Sequence, residues 1–491
     1  MLLYNLYCMF IIGAETSNCA CTDLMRGERL YRNRRADRPG ASYIQYLERK
    51  VSQTMSQKHL ASIHVSHYKH TAGCATEVMP IPDVVKISMS QHIGAPCKPL
   101  VNKGDYVKVG QKIGDSEAFI SAPIHSSVSG TVKDIETFRN AMGGFDTLVV
   151  VETDKKQEIS EEVQVPQEPA DLAEFVAEVR KSGLVGLGGA SFPTSVKFNP
   201  KNIDDVHTLI VNAAECEPFI TSDHRCMLED TEDLVNGCLM IMKYDGLDMG
   251  YIGIEENKMD AIEHLDKYIA SRGIKNLKTF TLQARYPKGA ERVLVYEILG
   301  KVMDAGVLPA DMGCILDNVT TVMNVGRYFR TGMPLVEKRI TVDGDAVAVP
   351  KNVKVPIGAM ISDIIGFCGG YKAEPKKILL GGPMMGRAIY SDEQHTMKAT
   401  NAILAFSGEQ ALVKEETACI NCGRCHSACP FKLIPTALAD AYERRDAQAL
   451  SDLKVMQCMN CGSCSYICPA HRPLGFINSL GKNVVKEAGI K

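Results

Sequence analysis

Eight cysteines near the C-terminus constrain this chain more than any other feature, because they fall into two copies of one spacing. The first copy reads Cys419-Ile-Asn-Cys422-Gly-Arg-Cys425-His-Ser-Ala-Cys429-Pro430, and the second reads Cys458-Met-Asn-Cys461-Gly-Ser-Cys464-Ser-Tyr-Ile-Cys468-Pro469. A run of C-x2-C-x2-C-x3-C-P holds 4Fe–4S clusters: three thiolates come from one tight loop, and the fourth cysteine ligates the other cluster of a pair. Gly423 and Gly462 give each loop room to turn. The proline after each fourth cysteine blocks helix continuation. The spacing therefore predicts one cluster on Cys419, Cys422, Cys425 and Cys468, and a second on Cys458, Cys461, Cys464 and Cys429. Zinc knuckles and disulfides are the alternatives, but zinc sites close with four ligands in C-x2-C pairs, which a doubled eight-cysteine run does not match. Two clusters with crossed ligands make a short electron path, so the rest of the chain must hold the places where electrons enter and leave.

A length of 491 residues predicts three or four domains. With 45% hydrophobic and 23% charged residues, the composition is that of a globular protein able to bury sizeable cores. A net charge of −3 argues against a nucleic-acid-binding face. Of the 18 cysteines, those outside the two runs show no paired spacing, which fits a reducing cytoplasm rather than a disulfide framework. Met1 to Ala14 is apolar but too short to span a bilayer, and it lacks the basic n-region of a signal peptide. Residues 1–54 read as an extension outside the fold, with Met55 the expected start. Any membrane is expected to be met through partner subunits.

Residues 79–155 read as short strands punctuated by glycine, as in Gly104-Asp-Tyr-Val-Lys-Val-Gly110 and Ser121-Ala-Pro-Ile-His-Ser-Ser-Val-Ser-Gly130. The pattern resembles the barrel-sandwich fold of biotinyl and lipoyl carrier domains. No lysine lies between Lys112 and Lys133 to serve as a carrier, so the domain is expected to dock or support, with His92 and His125 as packing or loop histidines. After the linker at 166–170, apolar residues at helical spacing (Leu172, Phe175, Val176, Val179) predict a helix. It runs into the glycine-rich stretch with Gly186, Gly188 and Gly189, followed by Lys197. Such a loop lets backbone N–H groups approach a phosphate or ring, with Lys197 as countercharge. It is neither a Walker loop nor a Rossmann fingerprint.

Three apolar strands follow, each ending in a polar tip: 207–211 before Asn212, Glu215 and Glu217; 250–254 before Glu255 and Lys258; 279–283 before Tyr286, Gly289 and Glu291. Strands alternating with helices predict a mostly parallel sheet with its ligand site along the C-terminal edge. Any one of these acids taken alone is better read as a helix cap. Residues 334–395 return to a β pattern, with Arg339–Val342 and Ala346–Val349 flanking Asp343-Gly344 as an expected tight hairpin. Between the cysteine runs, 435–453 reads as a helix, so the segment 405–481 is expected to be helix-rich.

These motifs, taken in order with SQHIGAPCKPLV (90–101), NAAECEP (212–218), YPKGAE (286–291) and GGPMMG (381–386), resemble the C subunit of Rnf-type electron transport complexes. The central part is similar to the NADH-binding flavoprotein subunit of respiratory complex I. The resemblance implies a multidomain α/β protein: a barrel-sandwich domain, an α/β FMN- and NADH-binding domain over 166–333, a β-grasp, soluble-ligand-binding-like domain, and a ferredoxin domain with two 4Fe–4S clusters. It places FMN and NAD(H) against Gly186, Gly188, Gly189, Lys197, Asn212, Glu215, Glu217, Tyr286, Gly289, Glu291 and Asn318. Two positions depart from the complex I pattern: Leu187 stands for an arginine and Ala214 for an aspartate. Ser191 replaces a glycine common in the loop. Glu217 and Glu291 are expected to hold nucleotide hydroxyls, and no side chain is expected to act as acid or base in hydride transfer. The implied role is a peripheral subunit on the cytoplasmic face of a membrane complex, passing electrons between the NAD pool and partner subunits that reach ferredoxin. The alternative is a soluble flavin and iron–sulfur reductase, such as a cobalamin reductase.

Overall fold

A computed structural model of the protein describes residues 59–139 and 144–490. The expected N-terminal extension and its start at Met55 lie outside the described residues.

Residues 84–153 form two small antiparallel sheets. One pairs Val84–Ser88, Phe145–Thr153, Gly130–Arg139 and Tyr106–Val107 in that order, and the other pairs Lys98–Pro99, Lys112–Asp115 and Ile124–His125. Strand alternation turns Val85, Ile87, Val149 and Val151 inward, where they meet Ile113 and Ile124 of the second sheet in one core. His125 packs as expected. It is buried, and that burial, with the Lys398 charge, pushes its imidazole down to about 3, so it is neutral.

The central sheet is fully parallel, in the order Leu277–Leu282, Met249–Glu255, Thr208–Ala213, Cys314–Asn318. Both faces are covered. Leu209, Val211 and Ala213 pack into the core on one side, and Ile210 into the core on the other. The three strands read from sequence are present, and Cys314–Asn318 adds a fourth at the edge. Two helices, Thr231–Tyr244 and Val319–Thr331, cross against the larger core. Their backbones meet at Gly237 and Gly326, where an added Cβ would drive into the carbonyl oxygens of Val322 and Asp233.

A six-stranded mixed sheet runs Glu77–Val78, Lys351–Pro356, Glu337–Asp343, Ala402–Phe406, Lys377–Leu380, Arg387–Ile389. Its first and fourth strands come from outside 334–395. The tight hairpin expected at Asp343-Gly344 is not formed. Glu337–Asp343 pairs with Lys351–Pro356, and Val342 lies opposite Lys351. The intervening chain turns in because Ala346 donates to Ala405 O (3.1 Å), and Ala346 and Val347 are fully buried. No strand follows Phe406 among the described residues; helices take over. The helix expected over 435–453 is two, Pro435–Glu443 and Ala447–Asp452. Arg445 takes a left-handed φ of 54°, and Asp446 caps the second helix by accepting from Ala449 N at 2.9 Å.

The helix crossing tests this packing. G237A or G326A should lower stability by about 1–3 kcal/mol through overpacking. G366A, on the exposed side of the helix Ile361–Phe367 with nothing near the added Cβ, should raise it by about 0.5–1 kcal/mol. Thermal unfolding of the three variants reads both signs.

Candidate functional site

The C-terminal edge of the parallel sheet gathers the sequence-predicted residues, but it does not point them all the same way. In the glycine-rich loop, Gly186 N–H donates to Phe192 O (2.8 Å), closing the loop on itself, and Leu187 N–H donates to Thr321 Oγ1 (2.9 Å). Gly188 presses against Asn318: a Cβ there would stand 2.6 Å from Asn318 Nδ2, so only glycine fits. Gly189 faces open space. Ser191 sits at φ 56°, the left-handed region, which accounts for glycine suiting this place. Its carbonyl accepts from Ile93 N–H of the barrel-sandwich at 3.2 Å. Lys197 lies beneath the loop, donating to Leu316 O (3.2 Å) and standing 3.5 Å from Asp317 Oδ1.

The strand tips are held by their own side chains. Asn212 Nδ2 donates to Gly289 O (2.8 Å), tying the first tip to the third. Asn318 Oδ1 caps the helix Val319–Thr331 by accepting from Thr320 N (2.9 Å), while its Nδ2 donates to Asp223 Oδ2 (2.8 Å). Glu215, at φ 49°, accepts from Asp223 N (2.6 Å) and His224 N (3.4 Å), so it caps the helix Ser222–Glu229. Glu217 accepts from Met384 N (3.0 Å) and Met385 N (2.8 Å) of the GGPMMG loop. Both its oxygens are engaged there, so the structure turns it away from the nucleotide-holding role expected of it. Tyr286 is 1% exposed, and its hydroxyl donates to Cys461 O at 2.7 Å, joining the third tip to the second cysteine loop. Glu291 remains exposed at the third tip. Partial desolvation of its carboxyl raises its pKa, with Lys197 opposing and Asp317 adding to the rise. Leu187 and Ala214, the two departures from the complex I pattern, are both buried apolar residues.

Sequence reasoning missed Lys69. Its ammonium donates to the carbonyls of Glu215 (2.8 Å), Glu217 (2.9 Å) and Ile220 (2.5 Å), and it is the hub of the first tip. Burial lowers its pKa to about 8, against the pull of Glu215. No local signal could have shown this, because Lys69 lies far upstream in a segment without a motif.

The cysteines sort as expected by position. Cys429, Cys458, Cys461 and Cys464 line one cavity, and Cys419, Cys422, Cys425 and Cys468 line another. Both loops repeat one backbone path, with left-handed φ at Asn421 and Gly423 (54° and 70°) and at Asn460 and Gly462 (58° and 76°). Each turns a backbone N–H onto the first sulfur: Asn421 N to Cys419 Sγ and Asn460 N to Cys458 Sγ, both 3.4 Å. Burial, then the neighbouring Cys461, Cys458 and Cys429, pushes the Cys464 thiol up to about 12. Four thiolates so placed need a cationic core between them. The thiols line two cavities, a setting that fits clusters held by four thiolates each.

Glu217 gives this site a pH signature. Its desolvation outweighs the two N–H donors and raises the carboxyl from 4.5 to about 7, so the folded chain binds that proton more tightly than the unfolded one. The contribution is full below about pH 4.5 and is lost as pH rises through about 7. Glu215, also raised to about 7, titrates in the same window. E217Q cannot titrate there and should reduce, without abolishing, the fall in Tm between those pH values. Tm against pH for both proteins checks it.

Comparison with known proteins follows the same layout. A family of RnfC barrel sandwich hybrid domains matches residues 59–156, the Nuo51 FMN-binding domain family matches 179–327, the SLBB domain family 339–388, and the 4Fe-4S dicluster domain family 411–469. The chain is 41% identical over 373 residues (76% of this chain, 81% of the relative) to the C subunit of the proton-translocating ferredoxin:NAD(+) oxidoreductase complex of Clostridium ljungdahlii. It is 40% identical over 365 residues (74% and 82%) to the C subunit of the Na(+)-translocating ferredoxin:NAD(+) oxidoreductase complex of Acetobacterium woodii. To the C subunit of the ion-translocating oxidoreductase complex of Rhodobacter capsulatus it is 37% identical over 416 residues (84% and 80%). With four domain families in this order and relatives matched over most of both chains, the protein belongs to the C-subunit family of Rnf-type ion-translocating electron transport complexes.

Proposed function

We propose that this chain is the NAD(H)-reactive subunit of a membrane-bound ferredoxin:NAD oxidoreductase complex, passing electrons between nicotinamide and partner subunits through FMN and two 4Fe–4S clusters. The observation that carries the reading is the Tyr286–Cys461 hydrogen bond, which puts the third strand tip of the flavin edge in direct contact with a cysteine loop. Ile63, Cys216, Tyr286, Ala428 and Cys461 share one small core there, so the two redox regions are continuous through buried protein.

FMN, when bound, supplies the conversion between two-electron exchange with nicotinamide and one-electron traffic with the clusters. The chain supplies position. Gly189 offers open backbone, Gly186 and Gly188 let the loop close against Phe192 and Asn318, and Lys197 supplies a fixed cation beneath it. Glu291, left exposed, is the acid placed to meet nucleotide hydroxyls, while Asn212 and Gly289 hold the tips in register. Glu215, Glu217 and Tyr286 shape the site from behind. Cys458, Cys461, Cys464 and Cys429 would hold the cluster nearer the flavin edge. Cys419, Cys422, Cys425 and Cys468 would hold the outer one, where Cys422 is exposed. That order makes the outer cluster the exit toward partners. No helix among the described residues is long and apolar enough to cross a membrane. The proposed station is peripheral, on the cytoplasmic face, where free thiols such as Cys74 and Cys97 stay reduced.

An anaerobic NADH titration of the full chain, reconstituted with FMN, iron and sulfide, tests the reading. Flavin absorbance should bleach first and the broad iron–sulfur shoulder after it. Clusters that bleach with dithionite but not with NADH would sink it. Y286F removes the bond to Cys461 O and should cost about 1 kcal/mol of stability. In stopped flow it should leave flavin reduction by NADH intact and slow the reduction of the clusters.

A further inference from the structure

The two cysteine loops share a backbone path, yet their surroundings differ. The last helix, Leu474–Glu487, is seated closely on the second loop. Gly475 N–H donates to Ser465 Oγ (2.9 Å), and a Cβ on Gly475 would stand 3.3 Å from Gly462 Cα. One turn on, Asn478 is 2% exposed and lines the cavity of Cys429, Cys458, Cys461 and Cys464. Its amide Nδ2 donates to Cys458 Sγ at 3.6 Å, and its Oδ1 has no protein partner. A buried amide left half unsatisfied costs stability, so its presence needs a reason. Ser463 Oγ adds a second polar contact, 3.4 Å from Cys461 Sγ. The first run has Arg424 at the equivalent place.

At the other cavity the donor from outside the run is a backbone N–H, that of Thr436 to Cys425, and not a side chain. Among the described residues, no side chain from outside the run donates to Cys419, Cys422, Cys425 or Cys468. Arg472, which lines this cavity, is committed to Glu416 (3.1 Å) and Glu443 (3.0 Å). By the second cavity, Arg292 stacks 3.8 Å over Phe431 and donates to Gln457 O (2.9 Å), next to Cys458. Lys482 lies one helical turn beyond Asn478 on the same helix.

We propose that Asn478 makes the two clusters electrochemically unequal, by donating its amide N–H to the Cys458 sulfur and so raising the reduction potential of the cluster nearer the flavin. Reduction adds negative charge to the sulfurs, and an N–H aimed at one of them stabilises the reduced form more than the oxidised one. The inner cluster is then the first acceptor from the flavin side, and the outer cluster the lower-potential exit. Asn478 is a positioning residue acting through Cys458, and the proposal rests on the two-cluster reading above.

The test is a redox titration of the full reconstituted chain followed by electron paramagnetic resonance, with iron and sulfide content measured alongside. N478L should shift one of the two midpoints downward by about tenfold in its reduction equilibrium, about 59 mV for one electron, and leave the other in place. N478D keeps the side chain's size, removes the donor and sets an anion beside the sulfur; it should shift the same midpoint further. It decides the matter if N478L fails to hold iron. Two clusters at full occupancy with both midpoints unmoved in N478D overturn the proposal alone. A wild-type chain that takes up iron for a single cluster overturns the two-cluster reading, and the proposal with it.

Discussion

Four parallel strands ending side by side crowd their loops into one place, and every buried backbone group in those loops must find a partner. That demand organises the centre of this protein. Lys69 answers three carbonyls, Glu215 two N–H groups of a helix start, Glu217 two N–H groups of a neighbouring loop, Asn212 one carbonyl and one N–H, and Asn318 one N–H while its amide donates to the Asp223 carboxylate. Most polar residues at the sheet's edge are therefore occupied in holding the edge together. The surface left for a ligand is made of what they do not cover: bare glycine backbone, Lys197 from below, and Glu291 at the rim.

Buried lysines extend the same logic between segments. Lys398 donates to Pro123 O and Gly183 O (2.8 and 2.6 Å), joining the barrel-sandwich to the start of the glycine-rich loop. Lys338 reaches Leu187 O (3.3 Å) from the mixed sheet, and Lys258 reaches Ala214 O (2.8 Å) from the second strand tip. A lysine can tie distant carbonyls because its long stem packs apolar while its three donors stay free to aim. Burial pushes the ammoniums of Lys338 and Lys398 down to about 8, so these ties hold their charge at a cost in desolvation.

What was legible in the sequence was what is written at short range. Cysteine spacing sorts the thiols into two cavities, and apolar runs mark three of the four strands of the parallel sheet. Strand Cys314–Asn318 was missed because its apolar core is only three residues long before Asp317. The Asp343-Gly344 hairpin looked certain locally, but Ala346 found a better acceptor in Ala405, nearly sixty residues away. Glu217 read as a ligand for the same reason: nothing near it in sequence shows that Met384 and Met385 will present their N–H groups to it. Side-chain direction at a sheet edge is set by long-range partners, and a one-dimensional pattern carries no trace of them. Asn478 is the sharper case, a single polar residue on an amphipathic helix whose meaning comes entirely from the loop it lies against.

The sharing of thiols between the cysteine runs bears on how the protein is made. Each cavity draws three thiols from its own run and the fourth from the other, with two helices between them. On the two-cluster reading proposed above, a cluster in either cavity would close a chain loop that contains part of the other, and neither could be completed while its partner run is unfolded. Biogenesis of the C-terminal segment becomes a single committed event, and a lesion in one cysteine is felt at both centres. A maturation machinery serving this protein has to load it as one unit.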